Sequence, residues 1–416
     1  MDLDIGQIIK YNRKLCNLTQ EQLCEGICSV THMSKIENNV THVSDEVVQM
    51  IFKRLNISID SEEKKFKELK SQLFSFYKAL EYKNRNQIDS LYKTLKNAEN
   101  FIKQTNLYPM YQVCKVKYFF YHGDIKTGER LLKILERNMS KFHPKIQNYI
   151  FHLFGIYYLL MMKNESALKY LKTTSEEYRE ESEEYFYHLA LVYSNLGYTS
   201  LSSYYSEKAI KSFKDHNNFE RVFDAEFTKI IQLNVSSIDE REFIIEKYLD
   251  LLEVIEQYNP EHPMRARIFH NLGYEYLQNK QYEVARVYFE KSMNLKSQIS
   301  SFYLSSLFSY INCIKHIPST THKELIMLIE KGYTLSDKYD VQKYLLLFSA
   351  QKYEILEEEE NSMNFMEKTL LPYFLETNEH SYFEIYGKKL YCFYLKNNHY
   401  KKAVEIASKL LISEKN

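Results

Sequence analysis

The sequence predicts an all-α protein: a small N-terminal domain of about five helices of the helix-turn-helix type, then a long α-solenoid of paired helices. Three observations carry this. Gly (9) and Pro (6) are too scarce in 416 residues to supply the turns of a β-rich or loop-rich fold. Apolar residues at the start recur at helical spacing, as in Ile5, Ile8, Ile9 and Leu15. From about residue 110 onward one pattern of large, small and aromatic residues returns every ~35–41 positions, the mark of a repeat array.

The elements follow in order. Asn17-Leu18-Thr19 breaks the first helix. Thr19, with Gln22 three residues on, forms a capping-box pattern that starts helix 2. That helix runs to about Glu25 and stops at Gly26, and helix 3 spans about Ser29 to Asn38. Asn39 then stands where a left-handed residue is wanted. A fourth helix begins near Ser44 with Val47, Ile51 and Leu55 facing inward. Residues 61–105 read as a connector of charged helices, with Phe66, Leu69, Leu73, Phe76 and Leu80 on one face.

The repeats occupy 106–416. The clearest copy has Phe269, Leu272-Gly273 and Tyr276 on its first helix, then Tyr282, Ala285, Phe289 and Ser292 on its second. Looser copies have Phe151, Phe154-Gly155, Tyr158, Ala167 and Leu171, and then Phe186, Leu189-Ala190, Tyr193, Ser202 and Ala209. Two more carry Ala350, Tyr353, Ser362 and Met366, and Leu390, Tyr394, Tyr400, Ala403 and Ala407. Gly155, Ala190, Gly273 and Ala350 let paired helices approach closely, and the aromatics fill the adjoining holes. Trp is absent, so 37 Tyr and 25 Phe do this packing. Glu357-Glu358-Glu359-Glu360 reads as a solvated turn between helices.

Charge limits the function. The formal net charge is zero, which gives no global basic field for nucleic acid. The first sixty residues are slightly acidic, with eight carboxylates against six basic groups. A DNA reader of this kind binds weakly alone and gains from two copies on one site. Six scattered cysteines show no disulfide framework. There is no secretory leader pattern at the start and no run of ~20 apolar residues, so no membrane partner and a cytoplasmic location are expected.

In a helix-turn-helix the second helix enters the major groove and its first turn meets base edges. The exposed positions here are Ser29, Val30, Thr31, His32 and Lys35, with Gln20 at the start of helix 2 touching the backbone or bridging to helix 3. Val30 and the Thr31 methyl suit a thymine methyl, Lys35 a guanine or a phosphate, and His32 either. Leu23, Ile27, Met33 and Ile36 are packing positions. The stretch Leu18-Thr19-Gln20-Glu21-Gln22-Leu23 leading to Met33-Ser34-Lys35-Ile36-Glu37-Asn38-Asn39 resembles the Xre/Cro-type DNA-binding domain over residues 5–57. The resemblance implies an internal salt bridge between Arg13 and Glu37, tying helix 1 to helix 3. The turn between Ile27 and Met33 is one residue shorter than in phage repressors, which resembles the peptide-responsive regulators of the Rap/NprR/PlcR/PrgX family.

The repeat pattern resembles the tetratricopeptide consensus. Such an array exposes a concave surface of first helices that takes extended peptides, and Asn or Gln carboxamides can clamp a peptide unit with donor and acceptor together. Asn234, Asn271 and Asn312 fall on or near first helices, with Tyr274, Gln278, Tyr193 and Asn195 as groove neighbours. The run Arg267-Ile268-Phe269-His270-Asn271-Leu272-Gly273-Tyr274 resembles a repeat of the same family, and Ala225-Glu226-Phe227 to Gln232-Leu233-Asn234 resembles the repeat before it. The resemblance then covers nearly the whole chain. It implies contact with a short signalling peptide at Asn234 and Asn271.

Other chemistries find no footing. Cys24, Cys28 and His32 are spaced by four, but Gly26 interrupts the helix and no fourth ligand is near, so no metal is expected. No phosphate-binding loop, nucleophile elbow or Gly-rich fingerprint occurs, and the expectation is a non-enzyme without cofactor. The resulting expectation is a cytosolic transcription regulator, a homodimer on double-stranded DNA, switched by a signalling peptide in the repeat groove. The alternative is a scaffold that sequesters a response regulator or stimulates its dephosphorylation.

Overall fold

The computed structural model describes residues 5–233, 238–298, 300–377 and 379–413, and among them there is no strand. The chain divides into two compact units, Met1–Leu233 and Asn234–Asn416.

The first unit opens with four short helices, α1 (Ile5–Leu15), α2 (Gln20–Cys24), α3 (Val30–Glu37) and α4 (Asp45–Arg54). Thr19 caps α2 as its sequence predicts. Its hydroxyl accepts from the Gln22 amide at 3.1 Å, and the Gln22 side chain accepts from the Thr19 amide at 2.8 Å. Ser29 caps α3 by accepting from His32 N at 3.2 Å, and Asn39 takes the left-handed conformation at φ 56°. The core is Ile8, Ile9, Leu23, Met33, Ile36, Val48, Ile51, Phe52 and Leu55. One expectation fails at its edge. Ile5 and Leu15 are exposed, because α1 turns Gly6 and Asn12 inward instead. Along α4 and at its end Ile51 and Leu55 are buried as expected, Val47 packs half-buried against the core, and Val48 and Phe52 join them. Gly6 is where α1 meets α3: a Cβ there would lie 2.1 Å from the Ile36 carbonyl oxygen.

Next come α5 (Ile59–Glu81), α6 (Arg85–Asn97), α7 (Glu99–Ile102), α8 (Tyr108–Tyr121) and α9 (Ile125–Arg137). The apolar face read for the connector is buried in full: Phe66, Leu69, Leu73, Phe76 and Leu80 pack with Ile88, Leu95, Phe101 and Tyr111. The edge of Tyr11 on α1 meets Phe101 at 6.0 Å, seating the N-terminal helices against this bundle. The unit closes with α10 (Pro144–Leu160), α11 (Asn164–Thr173), α12 (Glu176–Glu181), α13 (Tyr185–Asn195), α14 (Thr199–Asp215) and α15 (Phe219–Ile231). Here the helices pair as the repeats predict, and the Ser202 hydroxyl donates to the Ala190 carbonyl at 2.9 Å where α14 crosses α13.

A charged lattice runs through this unit. Lys78 of α5 bonds Glu81 and Glu183, and Lys83, just past α5, pairs with Asp224 of α15. Arg221, almost wholly buried, joins Glu184 at 2.7 Å and Asp224 at 2.9 Å, while Lys117 of α8 also reaches Glu184. Beside them His152 Nε2 and His188 Nδ1 lie 2.8 Å apart, and the Tyr178 hydroxyl is 2.8 Å from His152 Nδ1. Burial pushes His152 down to about 3 and lowers His188 also, so both rings are neutral.

The second unit contains α16 (Ile238–Tyr258), α17 (Met264–Gln278), α18 (Tyr282–Asn294), α19 (Ser301–Ile314), α20 (His322–Lys338), α21 (Gln342–Ile355), α22 (Glu359–Phe365), α23 (Leu371–Glu376), α24 (His380–Lys396) and α25 (Tyr400–Ser413). The clearest sequence copy is the hairpin α17–α18. A Cβ on Gly273 would meet the Phe289 ring at 2.8 Å, so the small residue and the aromatic are one packing device. Glu357 sits at φ 56° in an exposed turn between α21 and α22, as the charge run suggests. No described helix is long and apolar enough to cross a membrane.

Candidate functional site

In the first unit the candidate surface is the outer face of α3. Val30 is 44% exposed, Thr31 and Lys35 are exposed and His32 is half-buried, with Ser29 at the helix start. These side chains line the first turns of the helix and have no role in the core. The sequence-predicted set therefore shares one face, with Gln20 as the exception. Gln20 Nε2 donates to Glu37 Oε2 at 2.8 Å, the bridge to helix 3 foreseen from the sequence.

That bridge joins a larger anchor. Arg13 Nε and Nη2 donate to the two Glu37 oxygens at 2.6 and 3.0 Å, and Arg13 Nη1 donates to the Leu18 carbonyl at 2.7 Å. Burial works against the ionised Glu37, but the bonds from Arg13 and Gln20 outweigh it and hold its carboxyl below the usual range. The pair is structural: Glu37 is buried and fixes α3 against both α1 and the turn before α2.

In the second unit the candidate surface is one face of α17. Asn271, Tyr274 and Gln278 fall three and four residues apart, so they align along the helix. Tyr274 is 46% exposed, Gln278 is exposed and Asn271 is half-buried. Asn271 Nδ2 donates to the Tyr248 hydroxyl of α16 at 2.8 Å, leaving its carbonyl oxygen turned to other donors. Burial pushes the Tyr248 hydroxyl well above its ordinary value, so it stays protonated. Next to it Arg241 Nη1 grips Glu275 Oε2 at 2.6 Å, bracing α16 on α17.

The remaining expected residues divide. Asn234 lies outside the described residues. Asn312 is on α19, where its oxygen accepts from Lys315 Nζ at 3.3 Å, one turn on along the chain. Tyr193 is core rather than groove, buried and stacked on Tyr205 at 5.4 Å. Asn195 Nδ2 donates to Asn164 Oδ1 at 3.1 Å. Tyr248 and Arg241 escaped the sequence reading, because nothing local marks a Tyr or Arg whose partner lies 23 or 34 residues away. Among the described residues no group of His, Cys, Asp and Glu is arranged to hold a metal.

Known proteins resemble this chain in sequence and in fold. The helix-turn-helix family HTH_3 matches residues 9–61. Transcriptional activator NprA of Geobacillus stearothermophilus is 27% identical over 396 residues, 92% of this chain and 96% of that protein. The apo quorum sensor NprR from B. thuringiensis has the same fold, with a TM-score of 0.68 at 17% identity, covering 84% of this chain and 99% of its own. A Rap protein complexed with competence and sporulation factor superposes with a TM-score of 0.70 at 17% identity, covering 84% of this chain and 98% of its own. The chain thus carries a helix-turn-helix of the HTH_3 family near its start, is similar along most of its length to a transcriptional activator, and shares its fold with NprR and a Rap protein.

Proposed function

We propose that this protein is a cytosolic, homodimeric transcription regulator that reads an operator with α3 and is switched by a short signalling peptide bound at α17. The observation that carries the reading is one chain holding both devices. Val30, Thr31, His32 and Lys35 stand on an α3 that the Arg13–Glu37 pair immobilises, and Asn271 stands on an α17 with its carboxamide oriented by Tyr248. Ser29 and Gln20 complete the DNA surface, Ser29 as the helix start and Gln20 through its outer edge. Tyr274 and Gln278 extend the peptide surface along α17, with Asn312 and Asn234 as further contacts.

The functional division follows as 1–60 for DNA reading, 61–105 as connector and 106–416 for peptide binding and dimerisation. The acidic balance of the first sixty residues makes a single copy a weak binder, so two copies on paired half-sites supply the affinity. A peptide controls such a protein only by preferring one of two arrangements of the pair. NprR has been crystallised with its cognate peptide NprX, which supports the peptide as the class of signal. The test is selection of bound fragments from random DNA by the full chain, with and without a pool of short peptides. An enriched sequence whose recovery changes with peptide supports the reading; no enrichment in either condition rejects it.

A further inference from the structure

Lys296, just beyond the end of α18, turns its ammonium inward between α17 and α19. It donates to the Ser306 hydroxyl at 2.7 Å. Ser306 is fully buried, and its oxygen also lies 2.9 Å from His270 Nδ1 and 3.2 Å from the Ser292 hydroxyl, which itself donates to the Ala266 carbonyl at 2.7 Å. The one Ser306 proton has three acceptors within reach: His270 Nδ1, the Ser292 hydroxyl and, at 3.3 Å, the Phe302 carbonyl.

Lys296 is the group in this cluster with donors to spare. An ammonium has three N–H donors, and Ser306 takes one. No ion pair engages Lys296 among the described residues, and no carboxylate enters its electrostatic surroundings or those of His270. The one charge that does is Arg267 of α17, of the same sign. Burial and Arg267 together bring Lys296 down to about 8, and burial brings His270 to about 3. A half-buried cation beside a second cation costs stability unless an anion joins it, and proteins seldom keep one without a use. Arg267 is one turn before Asn271, so the cluster borders the α17 face that carries Asn271, Tyr274 and Gln278.

We propose that the crevice around Lys296, Ser306 and His270 is a subsite for a carboxylate group of the bound ligand, carried by the C-terminus or an acidic side chain of a short peptide. The carboxylate site stands on these residues alone; its occupant rests on the peptide reading above. A peptide seated here is anchored by charge at one end and clamped through its backbone at Asn271.

The test uses the full chain with its lysines labelled biosynthetically with carbon-13 and nitrogen-15, which keeps all three Lys296 donors, followed by NMR across pH in chloride and in acetate at equal ionic strength. Lys296→Gln identifies the resonance. Acetate is expected to raise the Lys296 midpoint by about one unit or more, a tenfold gain in proton affinity, against chloride. Equal midpoints in the two salts overturn the site. Ser306→Ala, which keeps the lysine, is expected to weaken the acetate effect, and an unchanged effect removes Ser306 from it. Random hexapeptides without Asp or Glu, as free acids and as terminal amides, then compete with acetate. Competition by the free acids alone assigns the C-terminus, and competition restored in amides by adding Asp and Glu assigns a side chain. If no pool competes while acetate still acts, the carboxylate site survives and the peptide occupant is rejected.

Discussion

Asn271 and Tyr248 are joined by a 2.8 Å hydrogen bond from the carboxamide nitrogen of one to the hydroxyl of the other, across the contact between α17 and α16. A carboxamide can flip and offer either atom; this bond fixes which atom faces outward. Tyr248→Phe removes the orientation and leaves Asn271 in place. The expected result is a loss of about fivefold to tenfold in peptide affinity, one hydrogen bond's worth, with the circular dichroism spectrum unchanged. Asn271→Ala is expected to abolish the peptide-induced thermal shift. Unchanged shifts in both variants would remove α17 from the peptide site.

Arg13→Met strands Glu37 without its partner. Because Glu37 is buried while Arg13 keeps an exposed edge, the cost is expected near the low end for a buried pair, about 3 kcal/mol. Urea unfolding followed by a probe in the first sixty residues should show it. A double change, Arg13→Met with Glu37→Leu, is expected to recover part of the loss, because no unpaired charge remains.

Thr31→Ala with Lys35→Ala removes two side chains from the exposed face of α3 without touching the core. Sequence-specific DNA binding is expected to fall by about 2–5 kcal/mol if both meet bases. If Lys35 meets only a phosphate, binding weakens evenly across sequences and the salt slope decreases by about one. Band-shift titrations at several salt concentrations separate the two.

The His152–His188 pair makes the first unit sensitive to acid. Both rings titrate lower in the folded protein than in the unfolded chain, where a histidine has its ordinary value near 6.5. The unfolded chain therefore takes up protons that the folded one refuses as pH falls below about 6.5. Stability is full above that value and drops by about 1.4 kcal/mol per ring for each pH unit below it, down toward the folded values. Denaturant midpoints at pH 7.5, 6.0 and 5.0 should fall in that order, and His188→Gln should flatten the dependence.

Gly273→Ala forces a methyl into the Phe289 ring. Phe289 is fully buried and cannot swing away, so the expected loss is about 1–3 kcal/mol, seen as a lower thermal midpoint.

Local patterns carried most of the fold. Thr19 and Gln22 announce their own helix start, and Gly273 with Phe289 announces a hairpin, because each signal is complete within sixteen residues. The exposed face of α3 was legible for the same reason, since the helix is short and its buried positions, Met33 and Ile36, are marked by local spacing. Ile5 and Leu15 misled because helical spacing gives a stripe but not its limits, and Gly6 shows where that stripe actually touches α3. Of the residues proposed for peptide contact, Asn271, Tyr274 and Gln278 are the ones that share a face, on α17. Tyr248, Arg241 and Lys296 act through partners on other helices, and Lys296 looks like any surface lysine until Ser306 is brought beside it.

The ion pair between Lys83 and Asp224 spans 141 residues of chain. At synthesis speeds of about 5–20 residues per second, Lys83 is made roughly seven to thirty seconds before its partner exists. During that interval the N-terminal helices and the bundle from Phe66 to Cys114, built from contacts within the first part of the chain, can already fold, while the ion pair that ties Lys83 to α15 is still open. The exposed face of α3 is thus formed well before the repeats are complete, so a truncated or stalled chain would carry the helix-turn-helix without them.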